Sequence, residues 1–236
     1  MKTTRVIEVD TIKEGRFVRG TEVVAVEKRV RVQWADGCTI LESTFTPSHA
    51  IELALGLLIV RGYPLVSPDA ISVRETWNEV RLVVDDSSAT EPEEPSWLES
   101  QPVTSRHITE SFRMLRERQV ILRTTGGAHG ALVRSLESDR HFFAEDIRRA
   151  NVLLKVIGGA KREHIGLTRS ALYFTGRLTS EVIDICARAG IPMVASLAVA
   201  TDLGISTARD REITVLGSAG DGSPWVYNIG RVLLVM

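Results

Sequence analysis

The chain has 236 residues, a formal net charge of −1, 25% charged residues and 44% hydrophobic residues, a composition typical of one large globular domain or one domain with a small satellite. The balanced charge excludes the whole-molecule basic field that nucleic-acid binding uses. The N-terminus lacks the apolar core of a signal peptide, and the longest apolar run, 51–60, is too short to cross a bilayer. We therefore expect a soluble, cytoplasmic protein with no membrane partner.

The first third of the chain is predicted to form short strands and one helix. The runs RVIEVD, TEVVAVE and RVRVQW alternate or are β-branched, and Asp-Gly at 36–37 predicts a hairpin into CTILESTF. Thr46 as the N-cap and Pro47 in the first turn predict a helix, which Gly62 ends. AISVRETWNEVRLVV predicts two further strands that turn near residues 77–78.

Residues 85–105 differ in composition from the sequence on either side. They include three prolines and six acidic residues but no lysine or arginine, and they show little periodicity. Such a segment is either a solvated linker or a mobile functional loop. We therefore divide the chain into a β-rich N-terminal region with one helix over 1–84, this loop over 85–105, and an α/β domain over 106–236.

The last of these regions alternates helices with strands, which predicts a layered α/β domain. A helix carries Ile108, Phe112 and Leu115, a hairpin turns at 137–139, and a second helix covers 147–161. The strands SALYFTG, IPMVASL and ITVLGSA then alternate with the helix SEVIDICARAG, closed by Gly190, and a helix near 201–209. A hairpin at 220–222 leads into PWVYNIG.

Three segments of this region carry residue types that bind anions. The paired glycines of TTGGAH let a backbone approach a ligand and direct N–H groups at an anion, and His129 follows them. Asp146 is a plausible N-cap for a helix that brings Arg149, Asn151 and Lys155 into its first turns. The turn Thr175-Gly176-Arg177 follows a strand, where α/β sheets bind ligands. Taken singly, these patterns are more typical of a tight turn, a capped surface helix and a plain strand-to-helix connection, respectively.

Motifs for other chemistries are missing. No P-C-x-x-C follows a H-x-E as in the zinc deaminases, and G-x-S-x-G, P-loop and G-x-G-x-x-G motifs are absent. The cysteines, Cys38 and Cys186, are far apart and in no pair motif, which predicts neither a disulfide framework nor a metal site.

The order of these segments resembles the FdhD/NarQ family of formate dehydrogenase accessory sulfurtransferases over nearly the whole chain. TPSHAIELALGLLIVRG is similar to the family's T-P-x-x-x-x-E-L-A-x-G-x-L-x-x-E-G, and TTGGAHGAL to its T-G-G-T-H-A-A. AEDIRRANVLLKVIGGA is similar to E-D-x-G-R-H-N-A-x-D-K-x-I-G. GRLTSEVIDICARAGIPMVAS is similar to G-R-x-S-x-E-x-x-x-K-x-x-x-A-G-I-P-x-x-x-S.

The resemblance implies a cytidine-deaminase-like α/β domain with a smaller β-rich N-terminal domain, α+β overall, and a homodimer. The family takes sulfur from a cysteine desulfurase on a C-x-x-C loop. It passes the sulfur to the molybdenum bis-guanine-dinucleotide cofactor for formate dehydrogenase, which implies a guanine-nucleotide pocket covered by the 85–105 loop and no metal bound directly. Cofactor binding is thereby assigned to Gly126, Gly127, His129, Asp146, Arg149, Asn151, Lys155, Gly176, Arg177, Ser196 and Thr201.

The departures from the family pattern concern the sulfur relay and part of the pocket. Residues 85–105 contain no cysteine, and a serine hydroxyl cannot carry a persulfide. Cys186 is expected to be packed in a helix and Cys38 to be a bystander, so no catalytic residue is assigned and sulfur transfer is expected to be lost. The family's glycine, histidine and aspartate are replaced by Arg148, Ala150 and Leu154, and its later arginine and proline by Leu197 and Ala200.

Two alternatives remain open beside an accessory protein in cofactor delivery. One is a non-catalytic module on the same fold that binds a nucleotide or a partner protein. The other is a different enzyme on the deaminase-like fold, in which His129 with Glu145 or Asp146 supplies acid and base.

Overall fold

The computed structural model describes residues 2–63, 65–87, 89–91, 102–221 and 223–235. The first half of the chain contains the elements β1 (Thr4–Lys13), β2 (Arg16–Ala25), β3 (Lys28–Trp34), β4 (Thr39–Phe45), α1 (Ala50–Arg61), β5 (Ile71–Glu75), β6 (Glu79–Val84), β7 (Val103–Thr104) and α2 (Ser105–Arg118). The second half contains α3 (Val120–Thr125), β8 (His129–Ser135), β9 (His141–Asp146), α4 (Arg149–Arg162), β10 (Ser170–Phe174), α5 (Ser180–Arg188), β11 (Met193–Ser196), α6 (Asp202–Asp210), β12 (Thr214–Gly217), β13 (Trp225–Asn228) and β14 (Leu234–Val235).

The N-terminal strands form a long hairpin and a separate four-stranded sheet. β1 and β2 pair antiparallel in unbroken register from Thr4↔Ala25 to Lys13↔Arg16, longer than the runs that alternation predicts. Their turn places Glu14 and Gly15 at φ of 50° and 76°, the positive values that a tight hairpin turn requires. The second sheet has the order β4-β3-β6-β5, and the predicted strand pair and its turn are confirmed.

A six-stranded mixed sheet with the order β13-β12-β11-β10-β8-β9 forms the centre of the C-terminal region. β10, β11 and β12 run parallel, whereas β8 and β13 are antiparallel to their neighbours. Residues of β10 alternate between two cores: Leu172 faces α1 and α4, and Tyr173 faces α2. Because both faces are covered by helices, the central strands are buried throughout, and the predicted layered α/β architecture is confirmed.

Helices α1 and α4 pack against each other so closely that glycine is required on both. A Cβ on Gly56 would lie 1.9 Å from the carbonyl oxygen of Leu154, and one on Gly158 would lie 1.9 Å from that of Glu52. The larger hydrophobic core includes residues of α1, α4, the four-stranded sheet and the six-stranded sheet. The predicted helix of the N-terminal region is therefore packed into the layer that covers the C-terminal sheet.

The N-caps predicted at Thr46 and Asp146 are both wrong. α1 begins at Ala50 with His49 as N-cap, at φ 52°, rather than with Thr46, and α4 begins at Arg149 with Arg148 as N-cap rather than Asp146. The physical reason is that Thr46 and Asp146 are buried and bonded to each other, since the Thr46 N–H donates to Asp146 Oδ2 at 3.2 Å.

The predicted loop over 85–105 ends earlier than the composition indicates. Val103 and Thr104 form β7, which pairs in parallel with β14. Ser105 already begins α2, because the Thr104 hydroxyl caps it by accepting the His107 N–H at 3.1 Å. Residues 88 and 92–101 lie outside the described part of the chain. In the described ranges, no helix combines the length and hydropathy needed to span a membrane.

Candidate functional site

An open pocket of about 470 Å³ lies between the start of β8, the end of β10 and the residues just before α4. Its position at the carboxyl end of β10 agrees with the general location of ligand sites in α/β sheets. Most of the lining comes from the TTGGAH segment, and Ile147 and Thr175 close the other side. The lining residues are Leu122, Gly126, Gly127, Ala128, His129, Ile147 and Thr175.

His129 is the titratable side chain of this lining. Burial lowers the pKa of His129, and the nearby Arg149 guanidinium lowers that pKa further, so the imidazole is neutral at pH 7. Its Nδ1 lies 3.4 Å from the Thr175 hydroxyl oxygen. That hydroxyl also accepts the Gly130 N–H at 3.1 Å, so Thr175 ties the end of β10 to the start of β8. Sequence reasoning named the Thr175 turn but gave the hydroxyl no role.

The paired glycines line the pocket, but their N–H groups are used within the chain. Gly126 has φ 67° and ends α3, with its N–H donated to the Leu122 carbonyl at 2.7 Å. The Gly127 N–H donates to the Thr125 hydroxyl at 3.1 Å. Gly126 and Gly127 therefore leave this wall free of side chains, but their N–H groups are not available to bind an anion as expected.

Two helices that follow lining residues have no side-chain cap. α4 begins two residues after the lining residue Ile147 and α5 begins five residues after Thr175, and in neither case does the N-cap side chain bond the first turn. Uncapped first-turn N–H groups at the positive end of a helix are suited to a phosphate.

Two exposed arginines, Arg149 and Arg177, stand at these helix starts. A Cβ on Gly176 would lie 3.1 Å from Arg149 Cδ, so Arg149 covers the buried glycine with its aliphatic part. Neither guanidinium has a hydrogen bond or ion pair within the described ranges. Free guanidinium groups can bind phosphate oxygens in pairs, and the three predicted residues Arg149, Gly176 and Arg177 are thus brought together.

Three other predicted residues form a buried network instead. Lys155 and Asp146 are both fully buried and pair at 2.6 Å. Lys155 Nζ also donates to the carbonyls of Thr46 at 2.9 Å and Glu145 at 3.2 Å, and Asn151 donates to the Thr44 carbonyl at 2.8 Å. The network joins the end of β4 to α4 and β9, and none of its three predicted members lines the pocket.

Burial acts on the Asp146–Lys155 pair in opposite directions. It raises the pKa of the Asp146 carboxyl and lowers the pKa of the Lys155 amine. Their mutual attraction opposes both shifts, and the Arg148 N–H, which donates to Asp146 Oδ1 at 2.8 Å, opposes the shift of the Asp146 pKa. The Asp146 carboxylate is therefore surrounded by donors from the protein, which leaves it no free position for a ligand.

Ser196 and Thr201 shape loops. The buried Ser196 hydroxyl donates to the Gly176 carbonyl at 2.6 Å and accepts the Ala198 N–H at 3.1 Å. Thr201 caps α6 by accepting the Gly204 N–H at 3.2 Å. Ser196 thus fixes the turn that carries Arg177, whereas the Thr201 side chain caps α6 and its N–H donates to the Leu178 carbonyl at 3.1 Å.

Glu145 has a structural contact that sequence reasoning did not identify. Its carboxylate accepts three backbone N–H groups at the start of α3. With Asp146 also engaged, neither carboxylate is free beside His129 to serve as a general acid or base. The alternative of a different enzyme on this fold therefore gains no support from the geometry.

Both cysteines lie apart from the pocket. Cys186 is fully buried in α5, and burial raises the pKa of its thiol to about 12, so it is packed as expected. Cys38 is exposed at the turn between β3 and β4. The opposite end of β4 leads to Thr46, and an extended chain of eight residues separates Cys38 from Thr46 by roughly 25 Å. The described residues contain no cluster of three His, Cys, Asp or Glu side chains that could hold a metal ion.

Comparison with known proteins gives one consistent result. Residues 78–232 match the model of the FdhD/NarQ family. The sulfur carrier protein FdhD of Sulfolobus acidocaldarius is 27% identical over 94% of this chain and 96% of its own length. The FdhD of Wolinella succinogenes is 33% identical over 55% of this chain and 46% of its own. A crystal structure described as a formate dehydrogenase accessory protein from Desulfotalea psychrophila superposes with a TM-score of 0.80, at 24% identity, over 98% of this chain and 100% of that chain, and shows the same fold.

Proposed function

This chain belongs to the FdhD/NarQ family, and on that premise we propose that it is a formate dehydrogenase accessory protein that binds the molybdenum guanine-dinucleotide cofactor without carrying sulfur on a cysteine of its own. The cofactor is cargo to be delivered. In this proposal the pocket beside His129 holds a phosphate-bearing nucleotide part of the cofactor. The partners are formate dehydrogenase and a cysteine desulfurase, and the working form is a homodimer.

The observation that carries the proposal is the juxtaposition of the pocket with unpaired positive groups. The lining residues Ile147 and Thr175 are each followed within a few positions by an exposed arginine, Arg149 or Arg177, and by a helix start without a side-chain cap. A nucleotide diphosphate has the charge and the oxygens to bind these groups. The neutral His129 can donate or accept one hydrogen bond without adding charge. The start of α4 is fixed by the buried network of Lys155, Asp146 and Asn151, which thereby supports this site.

The surroundings of both cysteines support the proposed loss of sulfur transfer. A persulfide carrier needs an accessible thiol with a low pKa, whereas Cys186 is fully buried with a pKa raised to about 12. Cys38 is accessible but lies in a hairpin turn of the four-stranded sheet. Residues 85–105, where the family's cysteine pair is expected, contain none.

Thermal unfolding in the presence of GDP tests the pocket. A ligand at one hundred times its dissociation constant stabilises the folded state by about 2.7 kcal/mol, which raises the Tm of a chain of this size by roughly 5–10 °C. We expect GDP to raise the Tm of the wild type and to have a much smaller effect on the Arg149→Ala/Arg177→Ala double variant, because both guanidinium groups that face the phosphates are gone.

Arg188→Ala is the matched control, since Arg188 is exposed in the last turn of α5, at the end of the helix away from Arg177. It should respond to GDP as the wild type does. No shift of the wild-type Tm at millimolar GDP would refute the nucleotide pocket.

Incubation with a cysteine desulfurase and cysteine tests the loss of sulfur transfer. We expect intact-protein mass spectrometry to detect no stable persulfide on this chain, with an FdhD relative that has the cysteine pair as the positive control. A stable persulfide on Cys38 or Cys186 would contradict the proposal, and Cys38→Ser and Cys186→Ser variants would show which thiol carries it.

A partner-binding module is the second candidate, and the tip of the β1–β2 hairpin favours it. Ile12 and Phe17 face each other across this hairpin and are 72% and 78% exposed. A two-stranded hairpin is marginally stable alone in water, so exposed apolar side chains at its tip are typical of a surface that another chain covers. This candidate predicts no thermal shift with GDP, which separates it from the first.

A further inference from the structure

The carboxylate of Glu145 lies against the first turn of α3. Its Oε2 accepts the N–H groups of Val120 and Ile121, both at 2.9 Å, and its Oε1 accepts the N–H of Leu122 at 2.8 Å. The residue is only 6% exposed. One side chain of β9 thus satisfies three of the N–H groups that a helix start leaves without a partner, and its negative charge sits at the positive end of the helix.

α3 has no side-chain cap at its start. It is only six residues long, far below the length at which an isolated helix is stable in water. Its N-cap, Gln119, makes no side-chain capping bond, although its side chain packs on Gly130 of β8, and Ile121 is buried. The bonds from Glu145 are the hydrogen bonds that connect the first turn of α3 to the central sheet in the described part of the chain.

The position of α3 determines one wall of the pocket. Leu122 lines the pocket directly, and its carbonyl accepts the N–H of Gly126 at 2.7 Å, where the helix ends and the glycine wall begins. The opposite wall is held by the next residue of the same strand. Asp146 accepts the Arg148 N–H at 2.8 Å, beside the lining residue Ile147. Neighbouring side chains of a strand point to opposite sides. The carboxylates of Glu145 and Asp146 therefore hold the two walls of the pocket.

We propose that Glu145 is a positioning residue that fixes α3, and with it the Gly126–Gly127 wall, at the distance from Ile147 that the ligand requires. What the pocket binds rests on the function proposed above, whereas the hold of Glu145 on α3 does not. A site whose supporting shell is loosened loses affinity because the wall must be ordered when the ligand binds.

Glu145→Gln tests this assignment with little change in shape. The amide has one acceptor oxygen in place of two and turns an NH₂ group towards backbone donors, so it cannot accept all three N–H groups. We expect hydrogen–deuterium exchange of residues 120–126 to become at least about tenfold faster, and GDP affinity to fall by roughly tenfold, at a temperature where the protein stays folded. Glu145→Asp, which keeps the charge and shortens its reach, should give intermediate values and serves if the first variant does not fold.

Glu52→Gln is the matched control. Glu52 is another buried carboxylate, 7% exposed, and its ion pair with Arg162 joins α1 to the far end of α4. This variant should lower the Tm and leave both the exchange of residues 120–126 and GDP affinity at wild-type values. Unchanged exchange of 120–126 in both Glu145 variants, or faster exchange with unchanged GDP affinity, would overturn the assignment. If the wild type binds no GDP, the proposed function fails, and the exchange measurement still decides whether Glu145 holds α3.

Discussion

At the scale of single residues, the buried pair Asp146–Lys155 has the clearest energetic consequence. Lys155→Met removes the amine that pairs with Asp146 at 2.6 Å and leaves a buried carboxylate without its cation, which costs about 3–5 kcal/mol. We expect urea denaturation to show that loss. The Asp146→Asn/Lys155→Met double variant should recover part of it because no buried charge remains. A loss below about 1 kcal/mol in the single variant would be inconsistent with this role.

A second residue-scale prediction concerns pH and the half-buried His107 of α2. Burial, assisted by the adjacent Arg134, lowers the pKa of His107 to about 4, against the partial opposition of Glu110 and Asp139. The unfolded chain has the ordinary histidine pKa of about 6.5. Between these values the unfolded state binds a proton that the folded state does not, so the free energy of unfolding decreases as the pH falls from 6.5 towards 4.

His107→Gln removes this contribution and keeps the other titrating groups. We expect the Tm of the wild type to decrease more steeply than that of the variant between pH 6.5 and 4, as measured by thermal unfolding in a pH series. Parallel curves for the two proteins would show that His107 does not supply this acid sensitivity.

At the scale of elements, the contact between α1 and α4 depends on glycine. Gly158→Ala places a methyl group 1.9 Å from the Glu52 carbonyl oxygen, so the helices must separate, and overpacking of this kind costs about 1–3 kcal/mol or more. Gly166→Ala is the control, since a Cβ there meets nothing within 4 Å. Denaturant unfolding should show a clear loss for the first variant and almost none for the second; equal stabilities would contradict the close packing.

Element prediction from sequence succeeded where the signals were local. The strand pair that turns near residues 77–78, the hairpin at 137–139, the helix near 201–209 and the end of α1 at Gly62 follow from periodicity and turn residues, and all are found. The caps assigned to Thr46 and Asp146 failed because a hydrogen bond between residues one hundred positions apart, at 3.2 Å, outcompetes local capping. Local propensity gives no information about such a bond.

The same distinction applies to the candidate site. The segment TTGGAH and Thr175 of TGR line one pocket because TTGGAH leads into β8 and Thr175 follows β10, its neighbour in the same sheet. Lys155, Asn151 and Ser196 carry the same residue types as ligand-binding groups, yet their donors are satisfied within the protein. Sequence can name a donor, but only the fold decides whether a backbone carbonyl or a ligand accepts from it. Glu145 is a further example, since the sequence names it only as a possible acid or base of the alternative enzyme, whereas its carboxylate accepts three backbone N–H groups.

At the scale of the whole molecule, the fold accords with membership of the FdhD/NarQ family. The six-stranded sheet and the helices on both its faces form that architecture. Neither cysteine lines the pocket, and one is buried in a helix. On the function proposed above, the molecule keeps a nucleotide site beside Arg149 and Arg177 and has lost the sulfur relay.

The most direct test of this account is the amide spectrum of protein labelled with ¹⁵N-glycine during titration with GDP. Gly126 and Gly127 line the pocket and Gly176 follows the lining residue Thr175, whereas Gly15 and Gly37 lie in hairpin turns outside the lining. We expect GDP to shift the signals of the first three and to leave those of the two hairpin glycines in place. Saturating GDP that moves none of the three pocket signals, or that moves only signals elsewhere, would contradict it.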